Sequence, residues 1–272
     1  PLWSRGLGDV YKRQGITLVY GLSRIIHFAV GELVMLGAFV TLSVWQWSGD
    51  MWLGLGLAIP ALALIGFVTE RAVFRFTLRE PLTGFIVSLG LILVLQGTAV
   101  EIWSPNAYYT QPPLEGSWDL GGVLLRKQSV VNLAIVIGVL AVCWLVLMRT
   151  TYGKALRAVS DDQGAAALMG IPVRMIIMTT FIIGAALAGI AGWMVFTMGL
   201  VTPFVGALYV LRGFAVALIG GLGNVQGAAV AGIGLGVAES LAAGYVGPGW
   251  TDAYVFGAVV LAWLWRPTGL AG

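Results

Sequence analysis

Residues 149–174 read RTTYGKALRAVSDDQGAAALMGIPVR. This is the longest polar interruption in a chain that is otherwise made of apolar runs. It carries Arg149, Lys154, Arg157 and Arg174 together with two carboxylates, Asp161 and Asp162, and runs of membrane-spanning length flank it on both sides. Lys and Arg gathered beside membrane helices are expected on the cytoplasmic face. The stretch is also patterned. Ala155, Leu156, Ala158, Val159, Ala165, Ala166, Leu168 and Met169 are helix formers that give an apolar face, and Gly170 followed by Pro172 is a stop signal. It therefore reads as one short amphipathic cytoplasmic helix, or a pair of them. Two roles fit at this level: a solvated connector that obeys the charge bias, or an element that docks on another protein.

Composition sets the class. Of 272 residues, 59% are hydrophobic and only 10% are charged, with a mean hydropathy of +0.93. Soluble domains carry roughly a quarter charged residues. A soluble fold cannot hide this much apolar surface, so the expected fold is all-α, a polytopic transmembrane helical bundle. The net charge of +3 is small and the basic residues sit at helix ends, which excludes a nucleic-acid footprint. The single cysteine, Cys143, cannot form an intrachain disulfide, and one histidine, His27, excludes a histidine-cluster metal centre.

The organising stretch resembles the cytoplasmic loop of the branched-chain amino acid permease family of ABC transporters. The residues that carry the resemblance are Tyr152-Gly153-Lys154-Ala155-Leu156-Arg157-Ala158, Asp161-Asp162, Ala165-Ala166 and Leu168-Met169-Gly170-Ile171. It extends with gaps from Gly15 to Gly269 and is specific again at residues 220–228, GGLGNVQGA. The resemblance implies that this loop is the coupling element docking on an ATPase subunit. It further implies a second permease chain, two cytoplasmic ATP-binding subunits and an extracytoplasmic substrate-binding protein. ATP and Mg would be bound by the partner ATPases, with no cofactor or metal in this chain.

Taken from the start, residues 1–14, PLWSRGLGDVYKRQ, have neither an apolar run nor a signal-peptide layout, and the resemblance begins abruptly after them. They are expected to be foreign to the permease domain, which is assigned to 15–272. Residues 15–20, GITLVY, then form the stub of a truncated first helix. Residues 25–32, IIHFAVGE, resemble the family's Asn-Phe-Ala-His-Gly-Glu break between its first two helices. Phe28, Ala29, Gly31 and Glu32 match, whereas His27 and Val30 depart from the pattern. A carboxylate at a helix centre in lipid costs about 3 kcal/mol, so Glu32 should face protein, water or headgroups.

Eight spans follow the stub, at about 33–47, 53–68, 82–102, 129–148, 175–197, 201–223, 226–243 and 251–265. Gly90 and Gly97 in the third, and the small-residue run 184–192 in the fifth, are expected to let helices approach closely. The irregular stretch 103–128 leans acidic and is expected outside, with a small hairpin near 118–125. The sixth of these spans, 201–223, holds Pro203, Gly206, Arg212-Gly213 and Gly220-Gly221-Leu222-Gly223, which suggests a broken or re-entrant helix of the kind transporters use at midplane sites. Arg212 is expensive in lipid unless it reaches headgroups or pairs with an acid, and Glu239 is the candidate partner.

Alternation from a cytoplasmic 149–174 loop places Arg24, Arg71, Arg75, Arg79, Arg149, Lys154, Arg157, Arg174 and Arg266 inside and only Arg126 and Lys127 outside. That bias supports one orientation in the bacterial cytoplasmic membrane, C-terminus inside. Gly153-Lys154 lacks the rest of a phosphate loop, and no nucleophile elbow is present, so the chain is expected to be a transport subunit rather than an enzyme. The expected coupling residues are Gly153, Arg157, Ala158, Asp161, Ala166 and Gly170, with Arg157 anchoring by charge and the alanines presenting a flat surface. The expected pathway residues are Phe28, Gly31, Glu32, Arg212, Gly220, Gly221 and Gly223. Two other readings remain open: a urea or short-amide importer of the same architecture, and a secondary transporter using Glu32, Glu239 or Arg212 as the ion-coupling group.

Overall fold

The computed structural model describes residues 28–76, 81–110, 114, 116–119, 124–221, 225–245, 253 and 257. The expectations placed on residues 1–14, the stub 15–20, Arg24, His27, Arg79, Gly223 and Arg266 lie outside the described residues, as does nearly all of the last span.

The described chain is helical and is arranged as a polytopic bundle. Five helices are long and apolar enough to cross a membrane: α1 (Val30–Ser48), α2 (Met51–Ala72, running on into a 3-10 turn, Phe74–Phe76), α3 (Pro81–Trp103), α4 (Lys127–Arg149) and α7 (Val173–Thr197). They hold 19 to 25 residues. At about 1.5 Å per residue that length matches a hydrocarbon core of about 30 Å. Two short helices, α5 (Thr151–Asp161) and α6 (Gln163–Leu168), link α4 to α7. Two more apolar helices, α8 (Val205–Gly220) and α9 (Val225–Tyr245), complete the described part.

Contacts divide the chain into two compact units, one formed by Phe28–Thr77 and Ile86–Tyr209, the other including the described residues from Val210 onward. The core of the first is a triangle of α1, α2 and α7. Its seams are built on missing side chains. A Cβ on Gly192 would lie 2.4 Å from the Val34 carbonyl oxygen, one on Gly189 2.8 Å from that of Ala58, and one on Gly66 2.4 Å from Ala185 Cβ. Backbones approach this closely because, in lipid, packing rather than water exclusion joins helices. Phe39, Phe196, Leu33, Met35 and Leu62 fill the space between the seams. The small-residue run of α7 thus packs as expected at Gly189 and Gly192, while Gly184 faces open space.

Gly90 and Gly97 of α3 are a correction. Nothing among the described residues lies within 4 Å of a Cβ placed on either, so they make no close helix contact among those residues. The same holds for whole faces of α3 and α4, where Ile86, Leu93, Val94, Leu133, Ile137 and Val142 are exposed. In water these would be a large liability. In a bilayer an apolar face of this kind carries no such cost.

Loops are stitched to the core by polar side chains. Asp50 caps α2 by accepting from the amides of Trp52 (2.8 Å) and Leu53 (3.4 Å). Trp193 Nε1 donates to the Met51 carbonyl (2.8 Å), and Trp103 Nε1 donates to Ser43 Oγ (2.8 Å). The hairpin expected near 118–125 is present as β2 (Ser117–Asp119) against β3 (Leu124–Arg126), with Trp118 opposite Leu125. A second antiparallel pair joins β1 (Tyr108–Tyr109) to β4 (Leu200–Val201), tying the loop after α3 to the end of α7.

The expected break at Arg212-Gly213 is also corrected. α8 runs unbroken through both residues and ends at Gly220, with Gly221 in the left-handed conformation (φ 93°). It is nonetheless short. Its 16 residues cover about 24 Å, less than a full hydrocarbon core.

Candidate functional site

The loop between α4 and α7 is a rigid two-helix element, and each of its joints has an identifiable cause. Thr150 ends α4 in an extended conformation and caps α5, its Oγ1 accepting from the Gly153 amide (3.1 Å). Gly153 sits where α5 turns under the end of α4. A Cβ there would lie 2.1 Å from the Leu147 carbonyl oxygen, so no other residue fits without moving a helix. Asp162 then closes α5 and opens α6, its Oδ1 accepting from the amides of Gly164 (2.7 Å) and Ala165 (3.0 Å).

The far end is a Schellman closure. Gly170 adopts φ 81°, the Ile171 amide donates to the Ala166 carbonyl (3.0 Å) and the Gly170 amide to that of Ala167 (3.0 Å). Ile171 packs back on Ala166, as that motif requires. Val159, Ala166 and Ile176 form a small core under the loop, walled by Tyr152, Leu156, Ala158 and Val173. Tyr152 Oη and Thr180 Oγ1, 2.9 Å apart, pin the start of α5 to α7.

This geometry redistributes the expected roles. Gly153 and Gly170 do set the two ends of the element. Ala166 is buried and Ala158 half-buried, so these alanines face inward and do not present a flat surface. Arg157 is exposed, but its Nη1 donates to the Leu147 carbonyl, where it satisfies the C-terminal end of α4. Its anchoring partner in this structure is therefore its own chain. Asp161 is exposed at the end of α5. What the loop offers outward is an apolar pair that sequence reasoning assigned to the helix's own apolar face: Leu168 at 90% and Met169 at 82% exposure. The signal was present, since a helix this short cannot bury both sides of its apolar residues, and the Gly170 turn projects these two away from Ala166.

The expected pathway residues fall into separate settings. Phe28 is half-buried in the turn before α1, and Gly31 is buried in the first turn of α1. Glu32 follows, 1% exposed, with Oε1 accepting from Gln96 Nε2 (2.9 Å) and Oε2 without a donor among the described residues. The opposing wall is Gly206 near the start of α8. A Cβ there would lie 2.6 Å from Oε2, so only glycine leaves room for the carboxylate. Gln96 and Gly206 were not assigned to this carboxylate from sequence; only their long-range juxtaposition identifies them.

In the second unit, Arg212 and Glu239 form the ion pair suggested by the sequence, with Nη1 and Oε1 3.0 Å apart and side chains 31% and 25% exposed. Gly220 and Gly221 are buried at the turn into α9, where a Cβ on Gly220 would meet the Ala228 amide nitrogen at 2.4 Å. They serve a tight helical return.

Comparison with known proteins supplies the identity of this architecture. The family described as "Branched-chain amino acid transport system / permease component" matches residues 14–264. The chain is 30% identical to the high-affinity branched-chain amino acid transport system permease protein BraD of Pseudomonas aeruginosa, over 95% of this chain and 89% of that protein. It is 28% identical to the corresponding LivH of Escherichia coli K12 over the same shares, and 29% identical to a probable LivH of Methanocaldococcus jannaschii over 90% and 81%. No solved structure matches with significance. With a bundle of spanning helices and a match over nearly its whole length, this multi-pass inner-membrane chain belongs to the branched-chain amino acid permease family of ABC transport systems.

Proposed function

We propose that the chain is the translocating subunit of a binding-protein-dependent ABC importer, moving branched-chain amino acids by alternating access. Its partners are a second homologous permease chain, two cytoplasmic ATPases that bind ATP and Mg, and an extracytoplasmic substrate-binding protein. The α5–α6 element and the C-terminus face the cytoplasm. The observation that carries this reading is the α5–α6 element itself. It is capped at every joint, yet it leaves Leu168 and Met169 almost fully exposed, an arrangement that suits docking and has no use in a mere connector.

The division of labour follows. Gly153, Ala158, Ala166 and Gly170 shape the element. Arg157 welds it to the end of α4, so force on the loop reaches the membrane helices, and Asp161 and the Leu168–Met169 pair contact the ATPase. Along the pathway, Glu32 offers a buried carboxylate with one oxygen lacking a donor, which suits the ammonium group of an amino acid better than a neutral amide. Separation of α8 from α1 at Gly206 would open it.

The test is ATP-dependent uptake into proteoliposomes holding the chain with its ATPases, second permease and binding protein. Leucine uptake that requires ATP is expected, with urea at least tenfold slower. Uptake by this chain alone, driven by an ion gradient, would overturn the reading.

A further inference from the structure

At the junction of α2 and α7 lies an open groove of about 670 Å³, apart from Glu32 and sharing Val173 with the core under the loop. Its lining includes Glu70 and Arg71 from the last turns of α2, Arg75 from the following 3-10 turn, and Arg174, Met175 and Met178 from the start of α7. Helix packing makes this groove. Gly66 brings α2 against α7 one turn earlier, and the Phe74 ring packs tilted on that of Phe181 with centroids 5.0 Å apart.

Two features ask for a ligand. First, three arginines line the groove, and among the described residues none of them has an ion pair or hydrogen bond. Arg71 only lies over the Phe67 ring, 5.9 Å from its centroid. Second, Glu70 is 2% exposed, and among the described residues its Oε1 has no hydrogen-bond donor. A buried carboxylate oxygen without a donor is an unmet demand, and a bound molecule with a donor would meet it. Three cations against one carboxylate give the groove an excess of positive charge. Guanidinium groups match phosphate oxygens in geometry as well as charge. Met175, exposed, and Met178, half-buried, add an apolar wall where α7 enters its spanning part.

We propose that this groove binds an anionic glycerophospholipid whose headgroup carries hydroxyl donors, as a phosphoglycerol headgroup does. The arginines take the phosphodiester, Glu70 Oε1 accepts from a headgroup hydroxyl, and an acyl chain lies along Met175 and Met178. Basic pockets between membrane helices on the anionic leaflet recognise lipid in this way. In the orientation proposed above, the groove faces that leaflet. The inference rests on that orientation and does not depend on which solute is transported.

The experiment uses the chain assembled with its partner subunits, delipidated in mild detergent and titrated with phosphatidylglycerol, phosphatidic acid or phosphatidylcholine, with bound lipid counted by native mass spectrometry. Wild type is expected to retain phosphatidylglycerol at least tenfold better than phosphatidylcholine and better than phosphatidic acid, which has no headgroup hydroxyls beyond its phosphate. Inorganic phosphate should not displace it. The Arg71→Gln/Arg75→Gln/Arg174→Gln variant should lose the preference over phosphatidylcholine, and Glu70→Leu should lose only the preference over phosphatidic acid. If the triple variant fails to assemble, the three single variants should each lower retention severalfold. Unchanged phosphatidylglycerol retention in the arginine variants would overturn the proposal. So would unchanged lipid with loss of the ATPase subunits, since the groove would then be a protein-docking surface.

Discussion

At the scale of single residues, this bundle is governed by where side chains are missing and where charges are buried. Gly192 has no room for even one more carbon, whereas a Cβ on Gly184, eight residues earlier on the same helix, meets nothing within 4 Å among the described residues. Gly192→Leu should therefore overpack the α1–α7 seam and destabilise by about 1–3 kcal/mol or more, while Gly184→Ala stays near neutral. Thermal melting of both variants in detergent, followed by size-exclusion chromatography, checks the contrast. Equal melting temperatures would refute the seam. Sequence reasoning found the small-residue run but could not rank its members, because ranking needs the partner helix. Glu32 is a second case. Glu32→Gln keeps an oxygen to accept from Gln96 and loses only the charge, while Glu32→Leu loses both. If the carboxylate receives an ammonium group, Gln should cut leucine uptake tenfold or more in an assembled complex with normal basal ATP hydrolysis. If Glu32 only braces α3 against α1, Gln should transport like wild type and Leu alone should fail.

At the scale of elements, the helices on both sides of the 149–174 loop were legible because apolar runs bounded by basic clusters leave few alternatives, and the paired helices within the loop were legible from Ala-Leu patterning and the Gly170 stop. The direction each short helix faces was not legible. Ala166 and Leu168 are both apolar and only two residues apart, yet one is buried and the other is 90% exposed. The Schellman turn at Gly170 and the Val159–Ile176 contact decide between them, and both depend on tertiary placement. The same limit misread 201–223. Glycine density suggested a break, but glycine inside an apolar helix costs only about 1 kcal/mol and α8 absorbs Gly213 without one. Two outcomes follow at this scale. Asp162→Ala should remove the side-chain cap of α6 while keeping the backbone closure of α5, costing about 1 kcal/mol locally and raising amide exchange over α6 first. Leu168→Asp with Met169→Asp should leave folding intact, since both side chains are exposed, but should abolish recovery of the ATPase subunits by affinity purification. Retained ATPase with normal coupled uptake would refute the docking role.

At the scale of the whole molecule, charge pairs must survive in a medium that does not hydrate them. Arg212 and Glu239 lie on apolar helices α8 and α9 and meet at 3.0 Å. Either charge alone at a helix centre costs about 3 kcal/mol in lipid, so each is tolerable mainly because of the other. Composition announced both residues as anomalies and made them a candidate pair, with headgroup contact as the alternative for each; the distance required the fold. This gives a double-mutant prediction that separates a structural pair from an ion-coupling one. Arg212→Gln and Glu239→Gln should each lower the yield of assembled, monodisperse complex severalfold by stranding the remaining charge. The double variant should recover most of that loss, because two amides can bond to each other and leave no charge behind. Its ATP-driven uptake should recover in parallel and should stay independent of an imposed proton gradient. A double variant that assembles well but loses uptake, or whose uptake changes its response to that gradient, would make the pair part of an ion-coupled mechanism. The energy source would then have to be sought in this bundle and no longer in the subunits that dock at Leu168 and Met169.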